Sequence, residues 1–402
     1  MLHFFLFILG SMYNFVGAKP IKKKQSFNKT TMKKLNLSCI LVLVMCATIC
    51  CTHDNSYYKV DESRTIVISD TVDTIMGMCV YRFDSPHNLV GIESVDSFVV
   101  LLTEHQDSLF LVMNTNTDTV IGALGTIGKA KNEMIVPMRE CQFGKAADGD
   151  VLMYIDDFNR QSVLTFNFSE SLTNNHLVYV TEKPYRLINQ AEQYAFFSVS
   201  DNEYVMFQGI AWENGAQDNR TIPPFVSKST DTNNKCVLYP QMIEGEDFQK
   251  NFIYNLMAKI KPDQSKLLLA HGNIGQFTIV DLDSWTTIGV HDKNSYDFGY
   301  LSELVTEDRK SFFSKLKAYY TSCNVTDDYI LLSRDGNHSM SEFEQMEHFQ
   351  PMICLFDWSG NLISSFIVHE EIGPITLDSH NKCLYGVGAD NCVYKYDLSK
   401  MI

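Results

Sequence analysis

Few residues in this chain have types and spacings that could do chemistry, and each can be weighed by its spacing. Gly122–Lys129 superficially resembles a phosphate-binding loop, which needs four residues between its first glycine and the Gly-Lys pair, and a hydroxyl after the lysine to hold magnesium. Here five residues separate Gly122 from Gly128, and Ala130 stands where the hydroxyl is required, so the segment reads as a turn. His369-Glu370 lacks a second histidine at the helical spacing that lets two imidazoles share one zinc ion. Glu344, Glu347 and His348 fall in a polar insertion that reads as a solvated face. No Gly-x-Ser-x-Gly elbow occurs, and spacing marks no Ser, His and Asp set, so no catalytic residue is assigned.

The eleven cysteines divide in two. Cys39, Cys46, Cys50 and Cys51 lie close together near the N-terminus, whereas Cys79, Cys141, Cys236, Cys323, Cys354, Cys383 and Cys392 are scattered and never at the spacing of a metal knuckle or a redox pair. The scattered set reads as small apolar residues within strands, with room for one bridged pair that the sequence does not choose.

The first cysteine group belongs to an export signal. Met32, Lys33 and Lys34 precede an apolar stretch from Leu35 to Ile49, and Cys50-Cys51 and the polar Thr52-His53-Asp54-Asn55 follow. That order of basic head, short apolar middle and processing site is secretory, and the stretch falls short of the roughly 20 residues that span a bilayer. The expectation is a signal or lipoprotein segment over 1–51, with Cys51 as the acylated residue and Cys50 and Cys46 as alternative acceptors. Several acyl chains would hold the mature protein on a membrane surface without spanning it. Met1 to Gly17 is apolar without a basic head, which predicts translation from Met32 and leaves 1–31 untranslated; the alternative is a membrane-associated extension.

Chain composition sets the remaining bounds. An apolar content of 45% over 402 residues supports a large core and excludes a disordered chain. The seven lysines of the first 50 residues face no Asp or Glu, so the rest holds 26 basic and 48 acidic residues, a difference of −22. Such a field repels phosphate, and nucleic acid is excluded as an expected partner.

A repeat organises residues 52–402. An Asp followed by two or more polar or small residues and then an apolar strand recurs at Asp96, Asp148, Asp201, Asp263, Asp327 and Asp378, with spacings of 52, 53, 62, 64 and 51. A second mark, Asn or Asp at the end of an alternating strand, follows at Asn114, Asn167, Asp281 and Asp397, 18 or 19 residues after its partner. In the fifth unit the mark is Asp357, delayed by the insertion around Ser339 to Gln350; the third unit is poor between Trp212 and Pro224. Within the units the side chains alternate with period two, as in Leu164, Phe166 and Phe168 against Val163, Thr165 and Asn167. Units of this size bury both sheet faces only against copies of themselves. The fold class is therefore all-β, a six-bladed β-propeller.

Only five residues follow Asp397, so the sixth blade lacks its outer strand. The β-branched run in Arg64 to Ser69 is predicted to supply it and to close the ring. Leu301, Leu304, Val305, Phe312, Leu316 and Tyr319 or Tyr320 recur at helical spacing and predict a helical insertion between blades 4 and 5 that packs on the propeller.

With these features the chain resembles the TolB-like six-bladed β-propeller lipoproteins of Bacteroidota. The resemblance rests on Gly125-Thr126-Ile127-Gly128-Lys129-Ala130-Lys131-Asn132-Glu133 and on Val325-Thr326-Asp327-Asp328-Tyr329-Ile330, and it covers the body and the Cys-terminated signal. Ala130 and Lys131 depart from the Gly and Pro of the family. Asp157-Phe158-Asn159-Arg160 and Ala389-Asp390-Asn391 are similar to hairpins of NHL-type propellers. The complete repeat, the membrane address and the lack of a recognisable catalytic set lead to the expectation of a lipid-anchored envelope protein that binds or scaffolds a protein, peptide or glycan, with no cofactor predicted. The alternative is an envelope hydrolase or lactonase that holds a divalent cation such as calcium among channel carboxylates.

Overall fold

The computed structural model describes residues 58–402, apart from 70, 84–88, 106, 136, 186–189, 192–193, 200–202, 213–220, 229–234, 296–297, 336–337, 344 and 347. The signal segment with Cys46, Cys50 and Cys51, the anchor Asp201, and Glu344 and Glu347 lie outside the described residues.

Three strands come first: β1 (Glu62–Ile66), β2 (Thr74–Ile75) and β3 (Met78–Arg82). Blade 1 is β4 (Leu89–Val95), β5 (Phe98–Thr103), β6 (Phe110–Asn114) and β7 (Thr119–Leu124). Blade 2 is β8 (Pro137–Lys145), β9 (Val151–Asp157), β10 (Ser162–Asn167) and β11 (Val178–Pro184), with helix α1 (Phe168–Asn174) before its last strand. A small sheet of β12 (Gln190–Ala191), β15 (Ala211–Trp212) and β16 (Thr221–Ile222) accompanies blade 3, whose strands are β13 (Tyr194–Ser198), β14 (Tyr204–Gln208), β17 (Phe225–Lys228) and β18 (Lys235–Val237).

Helix α2 (Asp247–Ile253) leads into blade 4, which is β19 (Leu256–Ile260), β20 (Lys266–His271), β21 (Gln276–Asp281) and β22 (Thr287–Asp292). After α3 (Phe298–Leu304) and α4 (Arg309–Lys315) comes blade 5, with β23 (Tyr320–Val325), β24 (Tyr329–Arg334), β25 (Met352–Asp357) and β26 (Leu362–Val368); α5 (Met340–Phe343) lies in its middle connection. Blade 6 has β27 (Ile372–Asp378), β28 (Cys383–Gly388) and β29 (Cys392–Asp397), and β3 is its fourth strand.

The period-two alternation of the sequence becomes a ring of six cores. Each apolar cluster sits between two neighbouring blades. Along β5, Val100 and Leu102 pack toward blade 2, while Val99 and Leu101 pack toward blade 6. Along β24, Ile330 and Leu332 face blade 4, and Leu331 faces blade 6. Every strand of this kind is buried on both sides, which a pair of stacked sheets would not require.

At three of the first marks the Asp is a turn acceptor, while in the Asp327 turn Thr326 Oγ1 takes that place, accepting from the Asp328 and Tyr329 N–H groups. Asp263 Oδ1 accepts from the Ser265 backbone N–H at 2.9 Å, Asp378 Oδ1 from that of Asn381 at 3.0 Å, and Asp148 Oδ1 from that of Asp150 at 3.1 Å. At the second mark Asn114, Asp281, Asp357 and Asp397 accept from Asn116, Ser284, Ser359 and Ser399, while Asn167 caps α1 through Glu170. These side chains bend the chain into tight turns by imitating a backbone carbonyl. Hydrogen bonds led by the Ser284 N–H hold the Asp281 carboxyl below the usual carboxylate range.

The ring closes through the N-terminal region, but with a different strand from the one expected. β1, which overlaps the predicted Arg64 to Ser69 run at Arg64–Ile66, pairs parallel with β22 on the outer edge of blade 4, Glu62 opposite Ile288 and Ile66 opposite Asp292. β2 adds in parallel to β26 of blade 5. The missing strand of blade 6 is β3, antiparallel to β29, with Val393 opposite Tyr81 and Lys395 opposite Met78. Ile68 is fully buried in the core between blades 4 and 5 instead of sitting in blade 6. The bridged pair is Cys79–Cys392, with Cα atoms 5.8 Å apart, joining β3 to β29.

The predicted helical insertion is two helices. Asp308 stops the first and caps the second, its Oδ1 accepting from the Lys310 and Ser311 N–H groups at 3.0 and 3.1 Å. Leu301, Leu304, Val305, Phe312 and Leu316 all pack into the core of blades 3 and 4.

Candidate functional site

Neighbouring strands within a blade are antiparallel, so the turns after the first and third strands lie at one end of the channel and the other connections lie at the opposite end. Both Asp marks therefore fall on a single turn face. The opposite face carries the connection with β15 and β16, and the ones with α2, with α3 and α4, and with α5, all from blades 3 to 5. The disc is lopsided: apart from the α1 connection of blade 2, one side carries tight capped turns, and the long built connections of blades 3 to 5 stand on the other.

Between the faces, the innermost strands are β4, β8, β13, β19, β23 and β27. Glu93 on β4 and Lys259 on β19 form an ion pair through Glu93 Oε1. Blades 1 and 4 stand opposite each other in a ring of six, so this pair crosses the channel. Glu93 Oε2 also accepts from Asn324 Nδ2 at 2.7 Å on blade 5, and Thr376 Oγ1 on blade 6 donates to Asn324 Oδ1 at 3.1 Å. Gln142 joins blade 2 to blade 3 by donating to the Ser198 carbonyl at 2.7 Å and accepting from its N–H at 2.9 Å. Among the described residues no group of three or more His, Cys, Asp or Glu gathers as a metal would require.

On the long-connection side, the structure brings together two segments that the sequence held apart. In the Gly125–Glu133 turn, the Gly128 N–H donates to the Met134 carbonyl at 2.8 Å and the Glu133 carboxylate accepts from the Ala130 N–H at 2.8 Å. The backbone that a phosphate would need is thus engaged within the turn. Arg160, from the Asp157–Arg160 hairpin of the next blade, donates to the carbonyls of Ala130 and Glu133 at 2.7 and 2.9 Å and stands 3.3 Å from the fully buried Asp157 carboxylate. Asp157 also accepts from the Ile135 N–H at 2.6 Å. Arg160→Met removes the clamp and takes the guanidinium away from the buried Asp157. The expected loss is about 2 kcal/mol, read as a lowered urea midpoint, with Arg160→Lys intermediate because it lacks the planar fork.

Two carboxyls on this side hold their protons to near neutrality. Asp156 is pushed up to about 7 by burial and by neighbouring Asp157, against the hydrogen bond from the Tyr185 hydroxyl at 2.5 Å. Asp335 is pushed up to about 7 by burial, opposed by His338, whose Nδ1 lies 3.0 Å from Asp335 Oδ1. One oxygen of each carboxyl, Asp156 Oδ2 and Asp335 Oδ2, is buried without a hydrogen-bond partner. Beside Asp335, Asp292 accepts a hydrogen bond from the Tyr319 hydroxyl, and Arg334 Nε donates to Tyr319 Oη at 3.2 Å. An acid held against a histidine can relay a proton, so Asp335 and His338 are the described pair best suited to acid–base work. Ser339 N–H donates to Glu342 Oε2 at 2.6 Å and fixes the next turn.

The remaining sequence candidates have structural employment. Glu370 accepts from the Gly77 N–H at 3.0 Å, and His369 Nδ1 lies 3.1 Å from Gln350 Nε2. His348 is exposed. Thr326, in the Val325–Ile330 segment, accepts from Tyr329 N–H at 3.0 Å and receives the Trp358 indole N–H on its carbonyl at 2.9 Å. Asp390 pairs with Arg82 of the closing strand at 2.9 Å. Glu93 and Lys259 were not singled out by sequence reasoning, although each is the one charged residue in an apolar inner strand.

Solved structures similar to this chain include a Bacteroides fragilis protein provisionally described as exported, at 10% identity over 83% of this chain and 98% of that one, with a TM-score of 0.47. A member of the DUF4221 family from Bacteroides vulgatus is similar at 8% identity over 81% of this chain and 96% of that one, also with a TM-score of 0.47. No family model matches the sequence, and no curated protein matches it.

Proposed function

We propose that this chain is an exported, lipid-anchored propeller of the cell envelope, akin to the TolB-like lipoproteins, that binds or scaffolds a protein, peptide or glycan with its long-connection face. The observation that carries the reading is the lopsided disc. Blades 3 to 5 raise their helices and extra strands on one side only, while the channel behind is crossed by Glu93 and Lys259. Long structured connections on a rigid scaffold are where binding residues concentrate. The Cys79–Cys392 bond supports an oxidising compartment, and the acidic body disfavours nucleic acid. The membrane would be reached through Cys51, or else Cys50 or Cys46.

A photo-crosslinking residue placed at Gln345, on the long-connection face, is expected to give a discrete adduct in intact cells, whereas one at Asp283, on the turn face, gives none. Equal labelling from both positions, or none from Gln345, overturns the assignment of the binding face. Cys51→Ala is expected to abolish acyl labelling; labelling that persists moves the acceptor elsewhere.

A further inference from the structure

We propose that the Cys79–Cys392 disulfide is a redox lock on one strand of the ring: a dithiol that reduces it releases β3 and uncovers the outer edge of blade 6, while β1 stays seated on blade 4. The inference rests on the fold and not on the binding role. It comes from the unequal way in which the N-terminal strands are held.

β1 is fastened without covalent help. Asp61 Oδ2 accepts from the Thr287 N–H and hydroxyl at 2.8 and 2.9 Å, and the Asp61 N–H donates to Thr287 Oγ1 at 3.0 Å. Arg64 reaches Asn361 at 3.0 Å, and the fully buried Ile68 follows in the core between blades 4 and 5. β3 has far less. Met78 is 60% exposed, Cys79 and Arg82 are exposed, and the pairing with β29 slips between Val393 and Tyr394. Its ion pair, Arg82 to Asp390, joins two exposed side chains, a class of contact that contributes little. Val80 and Tyr81 pack, half-buried, against the core of blades 6 and 1, and the buried Phe83 follows in that core with its N–H donating to the Asn391 carbonyl at 3.1 Å. The covalent bond is what distinguishes the hold on β3 from the looser contacts around it.

The two sulfurs also differ in access. Cys79 lies on an exposed strand, whereas Cys392 is fully buried on β29. A reductant thiolate therefore attacks Cys79 Sγ and forms a mixed disulfide. Cys392 leaves as a thiolate and takes a proton. The second thiol of the reductant then attacks its own sulfur in the mixed disulfide and frees the Cys79 thiol. Two electrons and two protons pass from the dithiol to the protein, and the dithiol becomes a disulfide. With β3 released, blade 6 keeps three strands, and β29 presents unpaired backbone groups along Cys392–Lys395, an edge that accepts an added strand.

The test is hydrogen–deuterium exchange on the full chain with and without dithiothreitol, with thiol counting to show two new thiols, and with Cys79→Ser as a non-reductive mimic. Reduction is expected to speed exchange at least tenfold over 78–82 and 392–395 and to leave 62–66 unchanged. Unchanged exchange at 78–82 once two thiols have appeared overturns the lock. So does simultaneous loss of protection in all six blades, which would make the bond a general staple. If Cys79→Ser fails to fold, the reduced wild-type chain still decides between these outcomes.

Discussion

Replacing Lys259 by Met is expected to destabilise the folded chain by about 3 kcal/mol, the cost of leaving one member of a largely buried ion pair without its partner. Both side chains are mostly shielded, with 12% of Lys259 and 14% of Glu93 exposed. In the variant Glu93 keeps its bond from Asn324 but loses the Lys259 ammonium, and a carboxylate in the middle of a ring of sheets has no cheap route to water. Adding Glu93→Gln removes the charge while preserving an acceptor for Asn324. The double variant is therefore expected to recover most of the loss, giving a coupling energy of 1 kcal/mol or more in a double-mutant cycle. Urea titration followed by tryptophan fluorescence reads all four proteins. A loss below about 0.5 kcal/mol in Lys259→Met would match a solvated surface pair. In that event the channel is wet enough to admit ligands, and the case for binding on the long-connection face weakens.

That pair shows where the sequence stops being informative. The Asp and Asn marks were legible because most of them do a local job, accepting hydrogen bonds two to four residues away, so their spacing is written along the chain. The six blades follow from them. A contact such as Glu93 to Lys259 joins positions 166 apart and leaves only an odd charge in an apolar strand. The Arg160 clamp on the Gly125–Glu133 turn is of the same kind: both segments stood out as turns, but nothing in either named the other. Closure shows a different limit. Of the run Thr65, Ile66, Val67, Ile68 only Thr65 and Ile66 lie in β1, and β-propensity says that a segment is extended and not where it ends or which edge receives it. β3, Met-Cys-Val-Tyr-Arg, carries a weaker signal and wins blade 6 through its cysteine and its antiparallel register with β29.

The stability of this chain is expected to depend on pH near neutrality through Asp156 and Asp335, and the sign follows from their burial. An ordinary aspartate releases its proton near 3.8, so the unfolded chain ionises both well below neutrality, while the folded chain keeps them protonated to about 7. Between those values the native state binds more protons than the unfolded state. Stability contributed by these carboxyls is present at low pH and is lost as pH rises toward 7, by up to about 1.4 kcal/mol per unit for each group. His271 works in the opposite sense. Burial beside Tyr239 pushes it down to about 3, so the stability it contributes is present above its ordinary 6.5 and is lost as pH falls below that value. The wild-type curve therefore combines opposing slopes, and the carboxyl contribution is isolated by difference. Asp156→Asn and Asp335→Asn keep the shape and the acceptor for Tyr185 or His338 but cannot ionise. Each variant is expected to match wild type near pH 4, to gain on it steadily, and to be more stable by about 3 kcal/mol at pH 8, where the buried carboxylate of the wild type costs most. Thermal unfolding from pH 4 to 8 measures this directly. A difference that stays flat across that range would mean that water reaches both carboxyls. The buried oxygens Asp156 Oδ2 and Asp335 Oδ2 would then be solvated in the working protein, and the two carboxyls would lie open to the surface instead of shielded.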